Sequence, residues 1–181
     1  MGFVHVYTGN GKGKTTCAVG LTVRAIGAGK RVAFLQFDKG FDGSNEHYHE
    51  RVILRKLPNV DLFFFGMERM MPDGAFRFSN LPEDHNQAQA ALEKAKELVR
   101  SGDYFMVVCD EAVTCVSTGL YSEDDLLGLV QVARENPDSE LVLTGRGGFP
   151  GLVAAVDLVS EIQLVKHYFY KGAKARVGIE Y

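Results

Sequence analysis

Thr8-Gly9-Asn10-Gly11-Lys12-Gly13-Lys14-Thr15-Thr16 is the stretch that decides the fold of this chain. An apolar opening run, Phe3-Val4-His5-Val6-Tyr7, precedes it, and Cys17 to Ile26 follows with helical periodicity. Strand, glycine-rich turn and helix form the context in which a Gly-Lys-Thr string becomes a phosphate site. The glycines let backbone N–H groups converge on an anion without Cβ clashes. The helix N-terminus adds roughly half a positive charge at the same spot. Lys14 then reaches phosphate oxygens, and the Thr15 hydroxyl is placed to ligate Mg²⁺. Gly9, Asn10, Gly11, Lys12, Gly13 and Thr16 complete the expected cradle. The pattern G-x-x-x-x-G-K-[ST] would begin at Thr8, so Gly9 and Gly11 mark a variant loop. A dinucleotide fingerprint fails, because G-x-G-x-x-G from Gly9 needs glycine at Lys14, and from Gly11 at Thr16. The stretch therefore reads as a site for a nucleoside polyphosphate.

Outward from the loop, apolar runs alternate with amphipathic ones. Strands are expected at Arg31–Phe37, Val60–Phe65, Tyr104–Cys109 and Glu140–Thr144, with a last one at Ile162–Val165. Pro82–Arg100 reads as a helix with Ala88, Ala91, Leu92, Ala95, Leu98 and Val99 on one face, stopped by Ser101-Gly102. Ser122, with Asp125 three residues on, caps another whose Leu126, Leu127, Val130 and Ala133 face inward. Strands separated by helix-length segments predict an α/β fold: a doubly wound, mainly parallel sheet flanked by helices, P-loop NTPase-like (RecA-like). Gly66 to Asn80 is the one long irregular stretch, a length often tied to function.

The 181 residues suit one nucleotide-binding domain, 1–181, able to bury about 70% of its unfolded surface. A net charge of −3 and a pI near 6.0 argue against a general nucleic-acid binder. No apolar run approaches the ~18 residues of a membrane span, and no secretory leader is expected. Cys17, Cys109 and Cys115 are odd in number and lack C-x-x-C spacing, which fits reduced thiols in the cytoplasm.

Asp110-Glu111 directly follows the Tyr104–Cys109 strand, so both acids emerge at the edge where the phosphate loop lies. A carboxylate there is the expected Mg²⁺ partner of Thr15; the sequence does not choose between the two. Thr144-Gly145-Arg146 ends the next strand at that edge, where Arg146 could neutralise a phosphate. Lys39, in Gln36-Phe37-Asp38-Lys39-Gly40, has the same standing: phosphate ligand or surface lysine.

These residues, in this order, resemble the P-loop corrinoid adenosyltransferases. The resemblance runs through the loop, Gln36 to Gly40, Asp110-Glu111, Leu143 to Arg146, Val165-Lys166-His167, and the closing Gly172 to Tyr181 with its Gly-Ile-Glu-Tyr end. It implies transfer of the 5′-deoxyadenosyl group of ATP to the Co(I) of cobalamin or cob(I)yrinic acid a,c-diamide, with Mg²⁺ and release of triphosphate. It also implies a cytoplasmic homodimer, with a flavoprotein as the source of electrons. Co(I) needs no protein base, so the protein's work is positioning and stabilising the leaving charge, by Lys14, Thr15 and Glu111. Larger members have an N-terminal extension over the corrinoid and a Gly-Phe-Thr-Trp-like segment beneath it. Here the first strand starts at once, and Phe65-Gly66-Met67-Glu68-Arg69-Met70-Met71 stands in the second place, without tryptophan. Phe65, Met67, Met70, Met71, Phe76 and Phe78 are the candidates for an apolar corrinoid floor. The rival readings are a hydrolytic ATPase using Glu111 and a non-catalytic ATP or corrinoid binder.

Overall fold

A computed structural model describes residues 2–40, 46–69, 71 and 77–180. In chain order the elements are β1 (Val4–Thr8), α1 (Lys14–Gly27), β2 (Val32–Gln36), α2 (Glu50–Leu54), β3 (Val60–Phe64), α3 (Pro82–Ser101), β4 (Met106–Asp110), α4 (Ala112–Ser117), α5 (Glu123–Glu135), β5 (Glu140–Thr144), α6 (Pro150–Ala155) and β6 (Leu158–Glu161), followed by a 3₁₀ turn at Tyr168–Lys171. The strands form one sheet in the order β3-β2-β4-β5-β1-β6, every neighbouring pair parallel. The doubly wound α/β expectation holds.

Burial follows position in the sheet. β2 and β4 are buried at every residue, because helices cover both faces of a central parallel strand. Alternate side chains serve two cores. Ala33, Leu35, Val107, Cys109, Leu141 and Leu143 pack against α3, α4, α5 and α6. Phe34, Val108 and Val142 pack against Ala18 and Ala25 of α1. The apolar stripe of α3 reads from sequence as it folds, with Ala88, Ala91, Leu92, Ala95, Leu98 and Val99 all buried. Gly102, in the left-handed region, ends that helix. At the start of α5 the Ser122 hydroxyl accepts from the Asp125 N–H at 3.2 Å, and the Asp125 carboxylate accepts from the Ser122 N–H at 2.9 Å.

The last strand differs from expectation. It is Leu158–Glu161, paired with β1 from His5–Leu158 to Thr8–Glu161, and Ile162–Val165 lies outside it. Its partner β1 ends at Thr8, where the glycine-rich turn begins, so the ladder stops there. Ile162 still receives and returns main-chain hydrogen bonds, donating to the Thr8 carbonyl at 2.8 Å and accepting from the Gly11 N–H at 2.7 Å. The irregular character expected of Gly66 to Asn80 holds at the described positions 66–69, 71 and 77–80. Arg69 pins that stretch, its guanidinium donating to the Asp38 carboxylate at 2.8 Å and to the Asn80 amide oxygen at 3.2 Å.

Leu92 is fully buried between α3 and the sheet, so Leu92→Ala is expected to cost about 2–5 kcal/mol. Ser122→Ala, at an exposed cap, should cost about 1 kcal/mol. Urea unfolding of both variants checks the ranking, and the reverse order would mean that the α3 face is not sealed.

Candidate active site

Four strand ends meet along one edge of the sheet. β1 delivers the glycine-rich loop, β2 delivers Phe37 to Gly40, β4 delivers Asp110-Glu111, and β5 delivers Gly145-Arg146. They border a cleft of about 1040 Å³ whose walls include Asn10 to Thr16, Lys39, Tyr48, Glu111 and Arg146.

The loop's extra glycines have a steric cause. Ile162 runs across the loop so closely that a Cβ on Gly9 would stand 2.5 Å from the Ile162 carbonyl oxygen, and one on Gly11 2.7 Å from it. Gly9 also has φ +102°, a region that L side chains avoid. Thr8, where the usual pattern has glycine, is the last residue of β1, and its hydroxyl donates to the Gly147 carbonyl. That bond ties the loop to the turn after β5. Gly13 caps α1, whose first internal bond runs from the Cys17 N–H to the Gly13 carbonyl.

Lys14 is buried, and its ammonium donates to the carbonyls of Gly9 at 2.8 Å and Gly11 at 2.9 Å. Its pKa is lowered, chiefly by burial, with Glu111 pulling the other way. Thr15 and Thr16, in the first turn of α1, stand on the cleft wall, and Asn10 and Lys12 are exposed beside them.

The two acids do different things. Asp110 is fully buried, and its carboxylate accepts from the Thr144 hydroxyl at 2.6 Å and from the Lys39 ammonium at 2.6 Å. Glu111 has φ +65°, rare for a residue with a side chain, and lines the cleft. Its N–H donates to the Thr144 hydroxyl at 2.9 Å, and its carboxylate accepts from the Thr114 hydroxyl. Arg146 is exposed on the same wall, its N–H held by Thr114 at 2.8 Å.

Lys39 is no surface lysine. It is buried, within 3.4 Å of the Thr15 hydroxyl and 3.7 Å of a Glu50 carboxylate oxygen, and lies 5.0 Å from the centre of the Tyr48 ring. Burial works to lower its pKa, but Asp110, Glu111 and Glu50 together raise it, so the ammonium stays charged. A buried network fixes this wall. The Gln36 amide donates to Glu50 at 2.9 Å, and fully buried Arg51 donates to the Gln36 side chain and to the Lys39 carbonyl. Sequence reasoning missed Tyr48, Glu50 and Arg51. One signal was present, a glutamine closing an otherwise apolar buried strand.

Residues after β6 also line the cleft, among them His167, Phe169, Tyr170, Gly178, Ile179 and Glu180, and the Lys12 ammonium donates to the Ile179 carbonyl at 2.6 Å. Glu180 closes this segment on itself, accepting from the Tyr168 hydroxyl and from the Arg176 N–H at 2.8 Å. The residues proposed for a corrinoid floor stand apart. Phe65 is half-buried against the α3 side core, and Met67 is exposed, its backbone lying where a Cβ on Gly40 would be 2.2 Å away. Neither borders the cleft, while Met70 and Phe76 lie outside the described residues.

Over residues 1–181 the sequence matches the family described as ATP:corrinoid adenosyltransferase BtuR/CobO/CobP. The chain belongs to this family. It is 33% identical to the corrinoid adenosyltransferase of Pseudomonas aeruginosa, over 99% of this chain and 84% of that one. It is 34% identical to the corrinoid adenosyltransferase of Escherichia coli K12, over 99% and 86% of the two chains. The corrinoid adenosyltransferase CobA of Salmonella typhimurium is 33% identical, over 99% and 86%.

For an adenosyltransferase of this family the steric cause of the loop glycines has a direct readout. Gly9→Ala is expected to weaken ATP binding about tenfold or more, ~1.4 kcal/mol, in calorimetric titration. Gly20→Ala, in α1 where an added Cβ meets nothing within 4 Å, should leave ATP affinity unchanged. Equal effects would mean that the Ile162 contact does not shape the loop.

The Glu180 carboxyl is pushed down to about 2, first by the Tyr168 hydroxyl and then by Arg176. A depressed folded-state value stabilises the charged, closed segment above the unfolded carboxyl value, and that support is lost as pH falls from about 4.5 toward 2. Glu180→Gln imitates the protonated form at neutral pH. It is expected to speed amide exchange across Tyr168 to Ile179 without changing exchange in β4; unchanged protection in that segment would remove Glu180 as its clasp.

Proposed function

We propose that this cleft holds ATP with its triphosphate on the loop from Gly9 to Thr16, and transfers the 5′-deoxyadenosyl group to the Co(I) of a corrinoid. The observation that carries the proposal is the convergence of the buried Lys14, the Thr15 hydroxyl and the Glu111 carboxylate on one cleft, in a chain of the corrinoid adenosyltransferase family. The electron pair of Co(I) forms the cobalt–carbon bond to C5′ of the ribose as the C5′–oxygen bond breaks. The leaving triphosphate takes that bonding pair, and cobalt ends as Co(III). No proton need be moved by the protein, so what the residues supply is place and charge.

Lys14 reaches the phosphate pocket by leaving the carbonyls of Gly9 and Gly11, and the loop N–H groups with the α1 N-terminus receive the phosphate oxygens. Arg146 adds a charge at the same wall. The donor set suits Mg²⁺: a threonine hydroxyl and carboxylate oxygens, hard ligands, around a spot that already attracts a cation. When bound, Mg²⁺ neutralises developing charge on the triphosphate. Thr15 and Glu111 are its proposed holders, because both Asp110 oxygens are engaged by Thr144 and Lys39. Asp110 belongs to the same site as the anion that positions Lys39.

The whole chain, 1–181, works in this proposal as a single nucleotide-binding domain, in the cytoplasm and as a homodimer, with a flavoprotein supplying the electrons that make Co(I). Among the described residues no helix is long and apolar enough to cross a membrane. Phe65, Met67 and Phe76 stay the proposed apolar surface for the corrinoid.

Incubation with MgATP and chemically reduced cobalamin tests the reading. The expected outcome is the spectrum of an adenosylated corrinoid with one triphosphate per turnover; diphosphate and phosphate would instead mean hydrolysis. Lys14→Ala should lower turnover by about 10²-fold or more, and near wild-type turnover at saturating ATP would overturn its role. Glu111→Gln should weaken metal dependence with stability intact. Asp110→Asn should instead lower stability by about 3 kcal/mol, because the buried Lys39 ammonium loses its nearest counter-charge. If the two variants behave alike in urea unfolding and metal titration, the division between the acids is wrong.

A further inference from the structure

The Lys39 ammonium stands among groups that attract a cation, including the Thr15 hydroxyl proposed as a metal holder. It is 2.6 Å from an Asp110 carboxylate oxygen, 3.4 Å from the Thr15 hydroxyl and 3.7 Å from a Glu50 carboxylate oxygen, and it faces the Tyr48 ring at 5.0 Å. All four neighbours are ligands or attractors for a cation. Lys14, the other buried lysine of the cleft, is bonded to loop carbonyls, so it does not compete for this position. Nor is Lys39 there by accident of a flexible stem. Its carbonyl is held by the fully buried Arg51, whose guanidinium also holds Gln36, which in turn holds Glu50.

We propose that Lys39 is a tethered cation that occupies the Thr15 side of the divalent-metal position in the nucleotide-free protein, so that the metal binds weakly until the triphosphate arrives. The inference rests on the reading of Thr15 and the neighbouring acids as the metal site. Two cations cannot share one hydroxyl and one small ring of carboxylates at these distances. A metal drawing on the Thr15 oxygen at roughly 2.1 Å would meet the ammonium already leaning on it. A triphosphate changes the balance, because it brings several anionic oxygens into a cleft that Lys39 itself lines. The ammonium then turns from Thr15 toward the phosphates, still paired with Glu50 or Asp110, and the Thr15 hydroxyl becomes available. Metal and nucleotide affinities are thereby coupled, and the coupling is reciprocal. Lys39 is a positioning residue for the metal and, in the bound state, a further positive charge beside the leaving triphosphate.

The test uses Mn²⁺ as the probe and the full chain without nucleotide, following free Mn²⁺ by electron paramagnetic resonance. Wild type is expected to bind Mn²⁺ weakly, and Lys39→Met to bind it about tenfold or more tightly, within the usual range of site coupling. Lys39→Gln, which keeps a hydrogen-bond donor for Asp110, gives the same gain and is the variant to rely on if Lys39→Met does not fold. The double variant Lys39→Gln/Thr15→Val should lose that gain. Mn²⁺ affinity equal to wild type in folded Lys39→Gln overturns the proposal and leaves Lys39 as the counter-ion of Asp110, with the metal site unaffected. A gain that survives Thr15→Val places the metal elsewhere and overturns the Thr15 reading together with this one.

Discussion

One carboxylate, that of Asp110, ties the functional edge of this protein together. It sits at the end of the central strand β4 without solvent access, and its two oxygens are claimed by Thr144 on β5 and by Lys39 beyond β2. A charge so placed is tolerable only while both partners stay. The three strand ends are therefore locked in register not just by ladder hydrogen bonds but by a charge that cannot be left alone. Thr144 passes the constraint on, because the hydroxyl that donates to Asp110 also accepts from the Glu111 N–H. Lys39 passes it the other way, toward Thr15 at the start of α1. The positions of the neighbouring groups follow from satisfying this single buried anion.

The contrast between two adjacent acids shows how a backbone assigns roles. Asp110 is the last residue of an extended strand and points into the sheet edge. Glu111 takes a left-handed turn, and that turn carries the chain from β4 into α4 and puts its carboxylate on the cleft wall. Left-handed backbone at a residue other than glycine, asparagine or aspartate is costly, and such cost concentrates at functional positions. Lys14 and Lys39 both line the cleft, yet each is held by different oxygens, the first by loop carbonyls and the second by Asp110.

Much of this was legible in the sequence because it is local or periodic. The loop glycines, Lys14 and Thr15 sit in one contiguous string, and the apolar stripe of α3 repeats at helical spacing. Asp110, Glu111 and Arg146 were legible too, since residues just after buried parallel strands must gather at one edge. What was not legible depends on contacts across long separations. Nothing in Ile162–Val165 itself says that the ladder ends at Glu161; the end of β1 decides it. Arg51 reads as an ordinary basic residue, yet it is wholly buried because Gln36 and the Lys39 carbonyl lie within reach. Phe65 and Met67 were grouped by composition, and the sheet sends the first toward the core and the second to the surface. Short helices such as α2, α4 and α6 carry too few turns for a period to appear.

The place of β1 in the sheet has a consequence for how the molecule comes into being. β1, the first of the six strands in chain order, lies between β5 and β6, the last two, and its loop takes its shape against Ile162. Until β5 and β6 are made, then, β1 has no neighbour of this sheet to pair with, and the glycine-rich turn lacks its contact with Ile162. Such distant pairings slow folding and leave apolar edges uncovered in the interim. The glycine-rich turn and Ile162, far apart in sequence, come together only once both have been made. A nascent fragment can thus acquire α3 on β4 early, yet its glycine-rich turn cannot take its final shape before Ile162 is in place.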